Sequence, residues 1–162
     1  MNLFKGLAAG AVAGVVASYV MERFQAEWTK AEEERGGSSL SSSNEDSATV
    51  RAADRVAVAA TGSPVPVAYR EQAGEVVHYA TGAGVGAVYG LLAEVAPFMT
   101  FGLGAAYGGA VAVGLDDTLV PKLGLAKSAK ETPPSVHVYS LASHLVYGVT
   151  LEVARRVIRV IL

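Results

Sequence analysis

Long uncharged runs alternate with polar stretches along this chain, and glycines recur within the runs at helical spacing. The run over residues 76–93 carries no formal charge. As a helix, it would be about 27 Å long, close to the thickness of a bilayer's hydrocarbon core. Every fourth position in and beside it holds a small residue or a histidine, namely Gly74, His78, Gly82, Gly86 and Gly90. This pattern predicts a membrane-spanning helix over residues 69–96 that packs against other helices along a narrow glycine stripe.

Three further uncharged runs predict three more spans. The first span lies within residues 1–28, where Gly6, Gly10 and Gly14 form two overlapping GxxxG motifs. A cleaved signal peptide is an alternative for this run, since Lys5 precedes an apolar stretch, but the glycine pattern favours a retained span. The third span is predicted over residues 95–115 and the fourth from residue 135 to the C-terminus.

The segments between the spans differ in character. Residues 29–47 are polar and of low complexity, which predicts a flexible loop. Residues 48–68 combine a short amphipathic helix, over residues 48–61, with a proline-rich turn. Residues 69–162 then hold three spans. The predicted fold is therefore all-α: a polytopic membrane protein with a four-helix transmembrane bundle and a short amphipathic helix in the first loop.

Two acidic residues close the predicted third span. Asp116 and Asp117 stand where the uncharged run ends, and Pro121 is expected to stop the helix just beyond them. With four spans, both termini lie on the same side of the membrane.

Composition supports a membrane protein and excludes several functions. Of the 162 residues, 51% are hydrophobic and 17% charged, and the mean hydropathy is +0.35. A net charge of −2 without a basic tract argues against a nucleic-acid partner. The absence of cysteine excludes disulfides, thiolate metal sites and cysteine nucleophiles. The sequence also lacks a hydrolytic triad, a phosphate loop and a nucleotide fingerprint, so we do not predict an enzyme.

All three histidines lie in or beside the predicted spans, together with the acidic pair. Spans two and four begin at the side where span three ends, which puts His78, His137, Asp116 and Asp117 at similar depth. Ionisable groups in lipid are costly, so this cluster invites three interpretations. The side chains hold helices together by hydrogen bonds, or they form a site for a divalent metal or a proton relay, or His78 and His144 ligate haem b. The first interpretation requires no cofactor.

Glu94 and Glu152 are expected at the opposite interface as solvated helix ends.

The chain resembles the YagU-like inner-membrane proteins of bacteria, a domain of unknown function. The resemblance rests on the segments ATVRAADRVAVAATGSPVP, VVHYATGAGVGAVYGLLAE, LDDTLVPKLGL, PPSVHVYSLASHLVYG and LEVARR. It implies a small multi-pass helical protein in the bacterial plasma (inner) membrane, and it implies no activity or catalytic residue.

The sequence thus leads to two hypotheses about function. The first is a structural or accessory membrane protein that contacts the lipid bilayer and, through its helices, itself or another membrane protein. The alternative is a small transporter or a metal- or proton-handling protein that uses the histidines and aspartates.

Overall fold

The computed structural model describes residues 2–36 and 46–162, which form helices joined by short turns and contain no strand. The all-α prediction is therefore confirmed for the described residues. The α-helices in chain order are α1 (Leu3–Glu34), α2 (Ala48–Thr61), α3 (Arg70–Val95), α4 (Ala105–Val111), α5 (Val120–Lys122) and α6 (Pro134–Ile161). Helix α1 includes the first residues of the predicted loop at 29–47, and residues 37–45 of that loop lie outside the described part.

The third hydrophobic segment is not the regular helix that the sequence predicted. After α3 ends, a 3-10 helix occupies Pro97–Gly104, and a π-helix occupies Ala112–Leu119 between α4 and α5. Pro121 lies in α5, and the helical path ends one residue beyond it, at Lys122, close to the predicted stop. The break within the 3-10 helix includes Leu103 at φ 54°, a left-handed conformation that is uncommon outside glycine.

Helices α1 and α3 pack antiparallel with their backbones in contact. The glycines pair in order, Gly6 with Gly90, Gly10 with Gly86 and Gly14 with Gly82. A Cβ added at any of these positions would lie less than 3.0 Å from a backbone oxygen or the Ser18 hydroxyl of the other helix. The separation of the two helices is therefore set by the absence of side chains.

A second glycine contact joins the third segment to α6. Gly104 and Gly108 face Gly148 and the backbone of His144, again at distances too short for a Cβ. The bundle is thus built from two glycine-packed helix pairs. Between them lie the buried side chains of Ala13, Ala17, Tyr89, Tyr147 and Leu151.

Three helical segments are long and apolar enough to cross a membrane: Leu3–Glu34, Val67–Val95 and Pro97–Lys122. Helix α6 is not among these three. Its first half holds His137, His144, Tyr139, Tyr147 and three serines, and its last turns hold three arginines. These residues lower its hydropathy even though it packs against both α1 and α4.

Helix α2 docks on the loop side of the bundle, meaning the end at which α3 and α6 begin and α5 ends. Ser47 caps its start and Gly62, in the left-handed conformation, ends it. Val50 packs on Gly74 of α3, and the guanidinium of Arg55 donates to the carbonyls of Leu123 and Gly124. The helix thereby covers the end of the bundle at which the third segment finishes.

Candidate functional site

The acidic pair lies inside the π-helix rather than at a helix end, which corrects the prediction from sequence. In a π-helix the backbone bonds run from i to i+5, so each turn holds more residues than an α-helical turn. The Thr118 side chain follows the same step, donating from Oγ1 to the Val113 carbonyl at 2.8 Å. Such segments are rare and occur frequently at functional sites. The wider turn sets the directions in which Asp116 and Asp117 leave the helix.

Asp116 forms a polar cluster with two residues of α6. Its Oδ2 accepts a hydrogen bond from Ser140 Oγ at 2.6 Å and lies 3.6 Å from His144 Nδ1. The same His144 nitrogen lies 2.9 Å from the carbonyl of Ser140, one helical turn earlier. The His144 side chain is largely buried, whereas that of Asp116 is 42% exposed. The cluster therefore joins the π-helix to α6 and leaves the carboxylate accessible.

Asp117 pairs with a different histidine. Its Oδ1 lies 2.9 Å from His137 Nδ1, and His137 Nε2 lies 2.9 Å from the Ala129 carbonyl. A protonated ring can donate at both nitrogens to these two oxygen acceptors. The loop before α6 is itself ordered by Ser128, whose hydrogen bonds to Glu131 lower the pKa of that carboxyl. His137 and Asp117 thus tie this loop to the third segment.

His78 is held by α1 and not by an aspartate. Its Nε2 lies 3.4 Å from the carbonyl of Ser18, on the glycine face between α1 and α3. The four predicted metal ligands are consequently divided: His137 is paired with Asp117, Asp116 with His144, and His78 with backbone. Among the described residues, no group of three or more His, Asp or Glu side chains is placed to hold a metal ion. Metal binding by His78, His137, Asp116 and Asp117 stays a prediction.

A cavity of about 440 Å³ lies where the helices meet at the loop side of the bundle. We call it the central cavity. All the major segments contribute to its wall: Ser18, Met21 and Gln25 from α1, Ala48, Thr49 and Ala52 from α2, His78 and Thr81 from α3, Asp116 and Leu119 from the π-helix, and His144 and Tyr147 from α6. His78, Asp116 and His144 therefore share one space although they do not bond to one another as a set. The two histidines considered for haem b both line it, with His78 Nε2 directed to Ser18.

Two clusters at the other end of the bundle were misassigned from sequence. Glu152 is fully buried, and its carboxylate accepts from Arg155 at 2.8 and 3.1 Å and from Arg156 at 2.6 Å. Glu94 accepts from Arg159 and from the Asn2 backbone, both at 2.7 Å. Neither is a solvated helix end. The spacing of Glu152 from its arginines, three and four residues along a helix, was the signal that could have identified the first cluster.

Cross-helix hydrogen bonds from tyrosines complete the polar interior. Tyr147 donates to the carbonyl of Gly82 at 2.7 Å and Tyr107 to that of Val85 at 2.9 Å. Tyr79 donates to Glu22 Oε2 at 2.5 Å. These contacts bind α3 to α1, α4 and α6.

The fold and site define a class: a helical bundle with membrane-compatible segments, glycine-packed contacts and a polar cavity among its helices. The chain belongs to DUF1440, a family described as proteins of unknown function, whose sequence profile matches residues 50–153. That match covers α2 through most of α6, including every residue of the Asp116 and Asp117 clusters. No curated protein matches the chain, and no solved structure does.

Proposed function

We propose that this protein is a four-span, YagU-like component of the bacterial inner membrane with a structural or accessory role. The observation that carries the proposal is how the polar side chains are used. Histidines, tyrosines and carboxylates bond across helix contacts to one another and to backbone carbonyls, as interhelical polar contacts do in membranes. The outer surface is apolar, with exposed valines at positions 88, 113, 149 and 157, and suits lipid and helices of other chains.

Helix α6 is assigned as the fourth span for two reasons. It packs against both α1 and α4, which belong to two of the apolar segments. A position outside the membrane would break both of these contacts. In addition, Lys5 Nζ donates to the carbonyl of Leu162, so α1 begins beside the end of α6. Part of its low hydropathy comes from polar residues that face the interior of the bundle, such as Ser143, His144 and Glu152.

Reporter fusions at each terminus test this topology. With four spans, both reporters have the same sidedness in bacterial cells. Opposite sidedness would show three spans and would place α6 outside the membrane.

Cysteine cross-linking tests the accessory role, since the chain contains no cysteine of its own. Single cysteines are placed at the exposed positions Val88 and Val157 and oxidised in native membranes. We expect a disulfide-linked product at one of them, at twice the 16.6 kDa mass for self-association or at the mass of a heteromeric adduct. A cysteine at Ala13, which is fully buried, serves as the matched control and should stay monomeric. Monomers at every exposed position would contradict a role through helix contacts.

A small transporter or a metal- or proton-handling protein is the second candidate, and the central cavity is the observation that favours it. Elemental analysis of purified protein tests the metal version. Stoichiometric metal that is lost in His137→Gln would support it, and would mean that the separate pairs rearrange around the ion.

A further inference from the structure

We propose that the central cavity is a binding site for a hydrophobic organic cation, meaning an ammonium or related group carried on an apolar body. This goes beyond the structural or accessory role and does not depend on it. The volume of about 440 Å³ lies within the range of small-molecule sites, which typically have apolar walls and a few polar groups.

The charge of the wall indicates the sign of the ligand. Asp116 is the one carboxylate among the described residues that line the cavity, and no lysine or arginine of the described chain joins it there. Its Oδ2 is engaged by Ser140, whereas Oδ1 accepts no hydrogen bond from the described residues. A carboxylate with an unused oxygen at the edge of an apolar space attracts a cation and repels an anion.

The hydrogen-bonding capacity of the histidines indicates the same ligand. His144 Nδ1 donates to the Ser140 carbonyl and His78 Nε2 to the Ser18 carbonyl. When such a ring is neutral, its other nitrogen is an acceptor. Together with Asp116, the wall presents acceptors to which N–H groups can donate.

The rest of the wall suits an apolar body. Met21, Val77, Val85, Val111, Leu115 and Leu119 line the cavity. Inorganic cations would not use this apolar area, and the described residues contain no three-ligand group for a metal. An organic cation would contact both the polar acceptors and the apolar side chains of the wall.

Ethidium, a fluorescent hydrophobic cation with N–H donors, is the probe. Purified protein in dodecyl maltoside is titrated with ethidium, and with 1-anilinonaphthalene-8-sulfonate as an anionic probe, against protein-free micelles. We expect saturable binding of ethidium and an affinity at least about tenfold lower in Asp116→Asn, as loss of a charge-assisted contact implies. The matched control is Asp117→Asn, which removes the same charge one residue away from a carboxylate paired with His137 and should leave binding unchanged.

A second pair of variants blocks the cavity without touching its charge. Ala52→Trp fills the space from α2 and should abolish ethidium binding, whereas Ala59→Trp, at an exposed site on the same helix, should not. Equal loss in Asp116→Asn and Asp117→Asn would reduce the effect to surface charge and overturn the proposal. Equal binding of the anionic probe with the same sensitivity to Ala52→Trp would also overturn it, because the cavity would then be an unselective apolar space.

The ammonium could come from a lipid headgroup or from a free amine, which share this chemistry. Phosphatidylethanolamine added to the micelles, compared with phosphatidylglycerol, distinguishes the two sources. Displacement of ethidium by the former alone assigns the lipid, and continued binding in both assigns a free amine.

Discussion

Two carboxylates, Glu152 and Asp116, lie near opposite ends of the bundle and have different surroundings. Glu152, near the termini, is 0% exposed and is neutralised by two arginines on its own helix. Asp116, near the loops, is 42% exposed, has one hydroxyl donor and a histidine, and borders a cavity. A carboxylate whose acceptors are all used stabilises structure, whereas one with an unused oxygen beside a space is available to a ligand. Matched substitutions can test whether this contrast is real.

Glu152→Gln should have the largest effect. The substitution keeps the shape of the side chain but leaves the charge of Arg155, itself largely buried, without its counter-ion. Breaking a buried pair in this way costs about 3 kcal/mol or more. Denaturant unfolding in detergent, followed by the fluorescence of the single tryptophan, Trp28, measures it. Glu75→Gln, at an exposed site, is the control, and equal small changes in both would mean that the cluster does not stabilise the bundle.

The glycine contact between the two ends should be the next most sensitive feature. Gly86→Leu forces α1 and α3 apart because its Cβ would meet the backbone of Gly10 and Gly14, and overpacking of this kind costs about 1–3 kcal/mol. Gly84→Leu is the matched control, since a Cβ at Gly84 meets nothing within 4 Å. The same unfolding assay compares them. Similar losses at both positions would show that helix propensity or lipid exposure, rather than the contact, determines the outcome.

Asp116→Asn should have the smallest effect on stability. The hydroxyl of Ser140 can still donate to the amide oxygen, and interhelical hydrogen bonds in membranes average only about 0.6 kcal/mol. We expect the free energy of unfolding to change by no more than about that amount, far less than in Glu152→Gln. A loss as large as that of Glu152→Gln would remove the contrast between the two ends and make Asp116 a structural residue.

The sequence predicted the features that depend on spacing along one helix. The glycines of α1 and α3 recur every fourth residue, and such periodicity is visible without knowing the partner. The start and end of α2 could also be predicted, because a serine can cap a helix start with its side chain and a glycine can end a helix in the left-handed conformation, as Ser47 and Gly62 do. These features are properties of the chain itself.

The pairing of the histidines could not be predicted in the same way. It depends on the π-helix, which changes the directions of Asp116 and Asp117, and no residue type marks a π-helix in advance. By contrast, the end of the helical path at Lys122 follows from Pro121, one residue before it. Glu152 was different: its spacing from Arg155 and Arg156 was visible, but charges near the end of a span were assumed to be solvated.

The π-helix also has a genetic consequence. Removing one residue from Ala112–Leu119, such as Gly114, where an added Cβ would meet nothing within 4 Å, would restore α-helical bonding. Because the deletion removes the extra residue that the π-helical turns hold, the flanking helices would keep their register, while Asp116 and Asp117 would change direction relative to Ser140 and His137. An in-frame deletion of a single codon at an exposed position would therefore alter this site while leaving the surrounding helices in place.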